Sequence, residues 1–253
     1  MRRGRLARWS AALIVSGLLP SASDLRADQL VADLSAHLIA ITTAFVGTKV
    51  VLFGTSDGTG HVVVTVEGPS QDTVVRRKGR IGPIWVNRES LAFANVPEYY
   101  AIASSAPLPK IARPDVRGRL QLGVDYLELQ PLDAAGLDPG EITAFTHALI
   151  RNKQRQGLYS VEPAEVSFLG PRLFRTTFDF PANVPPGIYR VQVFQLQDGQ
   201  VTDAQRSTLV ISKIGFEADI FDFAHQQSVL YGLLAVAVAV AAGWLAGVIF
   251  RRG

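Results

Sequence analysis

PANVPPGIYRVQVFQLQDGQV, residues 181–201, leads from a proline-rich entry into two β-patterned runs joined by a turn. After Gly187 the residues Tyr189, Val191 and Val193 alternate with Ile188, Arg190 and Gln192, the period-two pattern of a strand with one buried face. Asp198-Gly199 supplies two positions that tolerate positive φ, so the chain is expected to fold back into a second strand over 200–212. The alternation slips at Val193-Phe194, which fits either a bulge or a central strand covered on both sides.

A Pro-Gly turn that delivers a tyrosine into the next-to-last strand resembles the closing strands of an immunoglobulin-like β-sandwich. Working outward, more strands are expected at 34–45 (LSAHLIAITTAF), 49–53 (KVVLF), 61–67 (HVVVTVE), 72–77, 84–87, 99–104, 158–169 and 173–180. Residues 105–114 hold three prolines and read as a boundary. Beyond them, 120–130 and 139–156 read as helices; in the second, Asp138 stands at the N-cap and Pro139 at the first helical position, with Arg151, Lys153 and Arg155 near the end. Its apolar face comprises Ile142, Phe145, Ala148 and Leu149. The expected fold is mainly β: an Ig-like sandwich over 28–212, a helical insertion over about 105–157, and one C-terminal transmembrane helix. Two consecutive small domains are the alternative.

The ends carry targeting signals. Arg2, Arg3, Arg5 and Arg8 precede an apolar run from Trp9 to Leu19, the order of a secretory signal and too short to cross a bilayer. Small residues offer cleavage after Ser23 or after Ala27, the second being preferred, so residues 1–27 read as a signal peptide. Residues 228–250 contain no charged side chain, and Arg251-Arg252 follow. Arginines beside a span stay in the cytoplasm, which places 251–253 inside and the domain outside. Between them, 213–227 (KIGFEADIFDFAHQQ) sets Phe216, Ile220 and Phe223 at helical spacing, an amphipathic juxtamembrane segment. Within the span Ala239, Gly243 and Gly247 repeat every four residues, a small-residue face suited to self-association or docking on another membrane protein.

Charge follows the same division. Residues 1–27 hold five arginines and Asp24, and the tail holds two arginines. Of 25 basic and 22 acidic groups in the chain, 18 and 21 remain over 28–250, a net charge of −3. The basicity of the whole chain therefore resides in its ends, and a nucleic-acid partner is not expected. The absence of cysteine excludes disulfides, thiolate metal sites and thiol chemistry.

The chain has no metalloprotease helix motif, nucleophile elbow or phosphate loop, and Gly54 to Gly60 lacks the Lys-Ser/Thr such a loop needs. No catalytic residue, metal ligand or cofactor is therefore assigned. His37 and His61 are a candidate imidazole pair only if their strands adjoin. Arg76, Arg77, Lys78 and Arg80 surround Gly79, with Arg88 close by, and are the candidate anion-binding set, for a small oxyanion or a headgroup. Arg113, Arg117 and Arg119 form a weaker second cluster. Asp57, Glu67, Asp125 and Glu128 are the carboxylates on which an unrecognised enzyme site would have to draw.

The stretches 34–55 (LSAHLIAITTAFVGTKVVLFGT), 61–69 (HVVVTVEGP), 76–105 (RRKGRIGPIWVNRESLAFANVPEYYAIASS) and 185–201 (PPGIYRVQVFQLQDGQV) resemble a family of uncharacterised bacterial transmembrane proteins. That resemblance implies a bacterial inner-membrane protein with its domain in the periplasm, found beside sulfite-exporter-like permeases, and it carries over no catalytic residue. The expected function is a membrane-anchored periplasmic accessory protein, partnered with the bilayer and with a transporter, an envelope complex or a second copy. A small-oxyanion binder and a carboxylate enzyme are the alternatives.

Overall fold

The computed structural model describes residues 30–214 and 228–250. The expected signal peptide over 1–27, the expected juxtamembrane segment beyond Ile214 with its Phe216, Ile220 and Phe223, and the arginine tail lie outside the described residues.

The chain is mainly β. One sheet runs β1 (Val31–Leu34), β3 (Gly47–Thr55), β11 (Leu173–Pro181), β10 (Ser167–Phe168). A second runs β2 (Leu38–Ile41), β13 (Gln200–Lys213), β12 (Gly187–Gln197), β4 (His61–Glu67), β7 (Tyr100–Ser104), β9 (Ala164–Glu165). Pairing is antiparallel except β2 with β13 and β7 with β9. Alternate residues of each sheet meet in one core: Val50, Leu52, Phe174, Phe178 and Phe180 from the first, and Val62, Val64, Val66, Tyr189, Val191, Leu209 and Ile211 from the second. Aromatic rings join the layers, with Tyr99 stacked on Phe180 at 5.0 Å and Phe180 edge-on to Tyr189 at 5.9 Å. Four buried tyrosines find carbonyl acceptors. Tyr99 donates to Asp179 (2.9 Å), Tyr100 to Gln121 (2.6 Å), Tyr159 to Pro97 (2.7 Å) and Tyr189 back to Pro185 (2.6 Å).

The Asp198-Gly199 turn forms as the sequence predicts, with φ of 52° and 78° and Gln197 paired to Gln200. The slip in β12 has both causes: a bulge lies between Gln195 and Leu196, and β12 is a central strand on which Val193, Phe194, Gln195 and Leu196 are all buried.

The third sheet stands on a separate small core. Strands β5 (Ser70–Ile81) and β6 (Ile84–Pro97) form a long hairpin, extended by β8 (Gln130–Leu132). Helix α3 (Pro139–Arg155) lays Ile142, Phe145, Ala148 and Leu149 over Val75, Leu91, Phe93 and Val96. It begins where expected, because the Asp138 carboxylate accepts from the Gly140 N–H at 2.9 Å. Asp138→Ala should lower thermal stability by about 1 kcal/mol, with the loss concentrated in hydrogen exchange of the first turn of α3.

Several expectations are corrected. The single strand expected over 34–45 is replaced by the end of β1 at Leu34, β2, and a turn closed by the Phe45 N–H to the Thr42 carbonyl at 3.0 Å, because the chain crosses between sheets at Ser35–His37; Ser35 N–H donates to Val51 and Val210 N–H to the His37 carbonyl. The helix expected over 120–130 is absent. Gln121 and Gly123 have φ of 51° and 114°, and a 3-10 turn at Val124–Tyr126 is the sole helical piece there. The proline-rich stretch instead holds two short helices, α1 (Leu108–Ile111) and α2 (Pro114–Arg119), each with proline in its first turn. The segments 72–77 and 84–87 belong to much longer strands, and 158–169 contributes only the short β9 and β10.

Candidate functional site

The four basic residues expected to gather around Gly79 all lie on β5, and strand alternation divides them. Arg77 faces α3: its guanidinium meets Glu89 at 2.7 Å and Glu141 at 3.9 Å and lies 4.9 Å over the Phe145 ring. It serves as a latch between hairpin and helix, with its charge matched. Arg76, Lys78 and Arg80 point to the opposite, exposed face; Arg80 Nε donates to the Gly82 carbonyl at 3.0 Å. Arg88 is the extra residue where the register shifts between the Arg77–Glu89 and Lys78–Asn87 pairs, and its side chain covers Gly79. On that exposed face β6 presents Trp85, Asn87 and Ser90, paired with Arg80, Lys78 and Arg76 in turn. Trp85 is 67 % exposed, a feature that residue composition alone did not bring forward.

The second basic cluster disperses. Arg113 pairs with Asp115 at 3.4 Å, Arg117 lies 4.9 Å over the Tyr126 ring, and Arg119 borders a shallow groove of about 270 Å³ with Glu67, Arg190 and Arg206. Within that groove Arg190 is bonded to Glu67 at 2.9 Å. The groove was not foreseen, because its residues come from β4, β7, β12, β13, the end of α2 and the loop after it.

His37 and His61 do not adjoin. Strands β13 and β12 lie between β2 and β4, and His37 instead bonds Asp33 at 2.9 Å in the open. Among the described residues no three His, Asp or Glu side chains stand where they could hold a metal ion. The four carboxylates do not converge either. Asp57 accepts from the Thr59 hydroxyl and N–H, each at 2.7 Å, and from Gln195; these bonds, Thr59 first, hold its carboxyl below the usual range. Glu67 is taken by Arg190 at the other end of β4, and Asp125 and Glu128 are exposed beyond α2.

The C-terminal helix, Ser228–Phe250, is 23 residues long and uncharged. Ala239, Gly243 and Gly247 fall on one line of it, and nothing lies within 4 Å of where a Cβ would stand on Gly243 or Gly247. Side chains on this helix are described for Gly232, Leu233 and 236–247. Among the described residues no helix is long and apolar enough to cross a membrane.

These features define a class: a β body of two facing sheets, with a hairpin–helix layer, that carries an uncharged C-terminal helix. The chain belongs to the family described as "Putative transmembrane protein (Alph_Pro_TM)", which it matches over residues 29–252. No curated protein and no solved structure matches it.

Proposed function

We propose that this chain is a membrane-anchored accessory protein of the bacterial inner membrane without catalytic activity. Its β body lies in the periplasm and resembles an immunoglobulin-like sandwich, and it engages a transporter or envelope complex through its surface and its single C-terminal span. The observation that carries this reading is the helix Ser228–Phe250. It has no charge, and Leu233, Val236, Val238, Val240, Trp244 and Leu245 are all exposed around it. A helix apolar on every side is unstable in water and needs an apolar medium. At about 1.5 Å per residue it is about 34 Å long, enough for a hydrocarbon core of about 30 Å. Membership of a transmembrane family supports the same reading.

Three features support the sandwich type: the opening strand divided between both sheets, β2 running parallel to β13, and the Tyr189 hydroxyl bonded to Pro185 just before β12. The small-oxyanion alternative has weaker support. Arg77 is matched by carboxylates, and Arg76, Lys78 and Arg80 form a row about 7 Å apart along a strand, where a small anion needs convergent donors.

Membrane fractionation tests the anchor. The chain should stay with membranes through alkaline carbonate, and Val238→Lys with Val240→Lys, at about 3 kcal/mol each near mid-span, should release it. Partner capture in mild detergent should fall in Gly243→Ile and Gly247→Ile while membrane retention holds. Carbonate release of the unaltered chain sinks the anchor, and capture indifferent to both glycine changes sinks the helix as a docking surface.

A further inference from the structure

The uncovered face of the β5–β6 hairpin carries unmatched positive charge. From the middle of the hairpin outward it carries Arg76, Lys78 and Arg80, and no carboxylate answers them from the paired positions Ser90, Asn87 and Trp85. Glu89 lies on the other face, held by Arg77. Beside Arg80 stands Trp85, and at the two-residue turn Gly82-Pro83 stands Ile84, 59 % exposed. A row of cations ending in an exposed indole, at a tip that also exposes an aliphatic side chain beside its turn, suits a plane with anionic charge above an apolar layer, where an indole settles at headgroup depth.

The topology puts this face at the appropriate end of the molecule. β5 starts at Ser70, just past the end of β4 at Glu67, which pairs with Arg190 near the start of β12. There Gly187 pairs with Ile211, two residues short of the end of β13 at Lys213. Hairpin and chain therefore leave the sandwich from the same end, the chain toward its C-terminal helix. The chain leaving α3 is held at the sandwich, where Tyr100 N–H donates to the Leu158 carbonyl, while the first turn of α3 lies against Arg77, and the hairpin has its own core apart from the larger one, so the hairpin extends outward from that end.

We propose that the tip of the hairpin, with Arg76, Lys78, Arg80 and Trp85 on its uncovered face and Ile84 beside the turn, rests on the anionic phospholipid headgroups of the bilayer that holds the C-terminal helix. This rests on the anchored reading above. The contact fixes the body against the membrane at a second point, and each cation at a negatively charged surface strengthens it about fivefold.

The absence of cysteine makes the test direct. The full chain, as Ile84→Cys or Gln197→Cys, is labelled with a polarity-sensitive dye and reconstituted into phosphatidylcholine–phosphatidylglycerol vesicles or into phosphatidylcholine alone. Gln197 is exposed at the opposite end of β12, so both labels are tolerable and the second reports an intact, distant surface. In the mixed vesicles the dye at 84 should brighten and be quenched by lipid-borne nitroxide; in neutral vesicles, or with Arg76→Gln, Lys78→Gln and Arg80→Gln, most of that response should vanish. The dye at 197 should stay wet throughout. A chain that floats with the vesicles while the dye at 84 matches the dye at 197 overturns the contact and leaves the anchor standing. Brightening without nitroxide quenching means a second protein copy covers the tip, and it overturns the contact too. A chain that does not float at all overturns the anchor and the contact with it.

Discussion

Raising the pH through 10 to 11 should unfold the β body cooperatively, with phenolate absorbance and loss of sheet circular dichroism appearing together. Tyr99, Tyr100, Tyr159 and Tyr189 are between 0 % and 2 % exposed, and burial pushes each hydroxyl well above its ordinary value of 10. The fold thus keeps these protons over a range in which the unfolded chain has lost them. Stability is intact below pH 10 and falls as the pH rises beyond it. Each group held neutral weakens the fold by about 1.4 kcal/mol per unit above 10, so Tyr99, Tyr100 and Tyr159 together remove about 4 kcal/mol by pH 11, and Tyr189 adds to this. That is comparable with the whole stability of an ordinary domain. Tyr159→Phe, which loses the bond to Pro97 but carries no ionisable group, should shift the alkaline midpoint upward while lowering stability at neutral pH. More than two of the six tyrosines forming phenolate well before any loss of circular dichroism would refute the assignment, because only Tyr126 and Tyr231 stand outside the buried set.

The same tyrosines mark where the sequence is legible and where it is not. Tyr189 was readable because its signal is local: Pro-Gly upstream, alternation around it, Asp-Gly downstream. Tyr100 was not, because its hydroxyl donates to Gln121 and accepts from the Gly123 N–H, 2.9 Å away. That distant tyrosine stabilises a positive-φ segment where apolar spacing alone suggested a helix. The crossing at Ser35–His37 was hidden for a related reason. The buried phase moves there from Ala32 and Leu34 to Ile39, but Ala36 and Leu38 carry the apolar spacing across it, and the change of pairing partner, from Val51 to Val210, leaves no mark of its own in the sequence. At the candidate site the four basic residues were visible in the sequence, but their division was not. Glu141, which helps match Arg77, comes from a helix 64 residues on, and the placing of Asn87 and Trp85 opposite Lys78 and Arg80 depends on a register shift at Arg88. Long β5 and β6 were read as short strands because Gly79 and the charges interrupt their apolar pattern.

Phe93→Ala should melt the hairpin–helix layer while the sandwich stays folded. Phe93 is fully buried in a cluster of six residues, with Val75, Leu91, Val96, Phe145 and Leu149, apart from the larger core. Truncating a buried phenylalanine costs about 3–5 kcal/mol, and so small a cluster has little else to hold α3 against β5 and β6. Leu129 packs against both cores, so it transmits some strain between them, but the β4, β12 and β13 ladder draws its support from the larger one. Hydrogen exchange read by peptide should therefore lose protection over 70–97 and 139–155 and keep it over 61–67 and 187–211. Phe174→Ala, in the larger core, should act in reverse and loosen the sandwich first. Loss of protection across all four segments at once in Phe93→Ala would show that the layers fold as one unit. In that case the hairpin would be a rigid strut, and its tip could not adjust to a surface independently of the body it springs from.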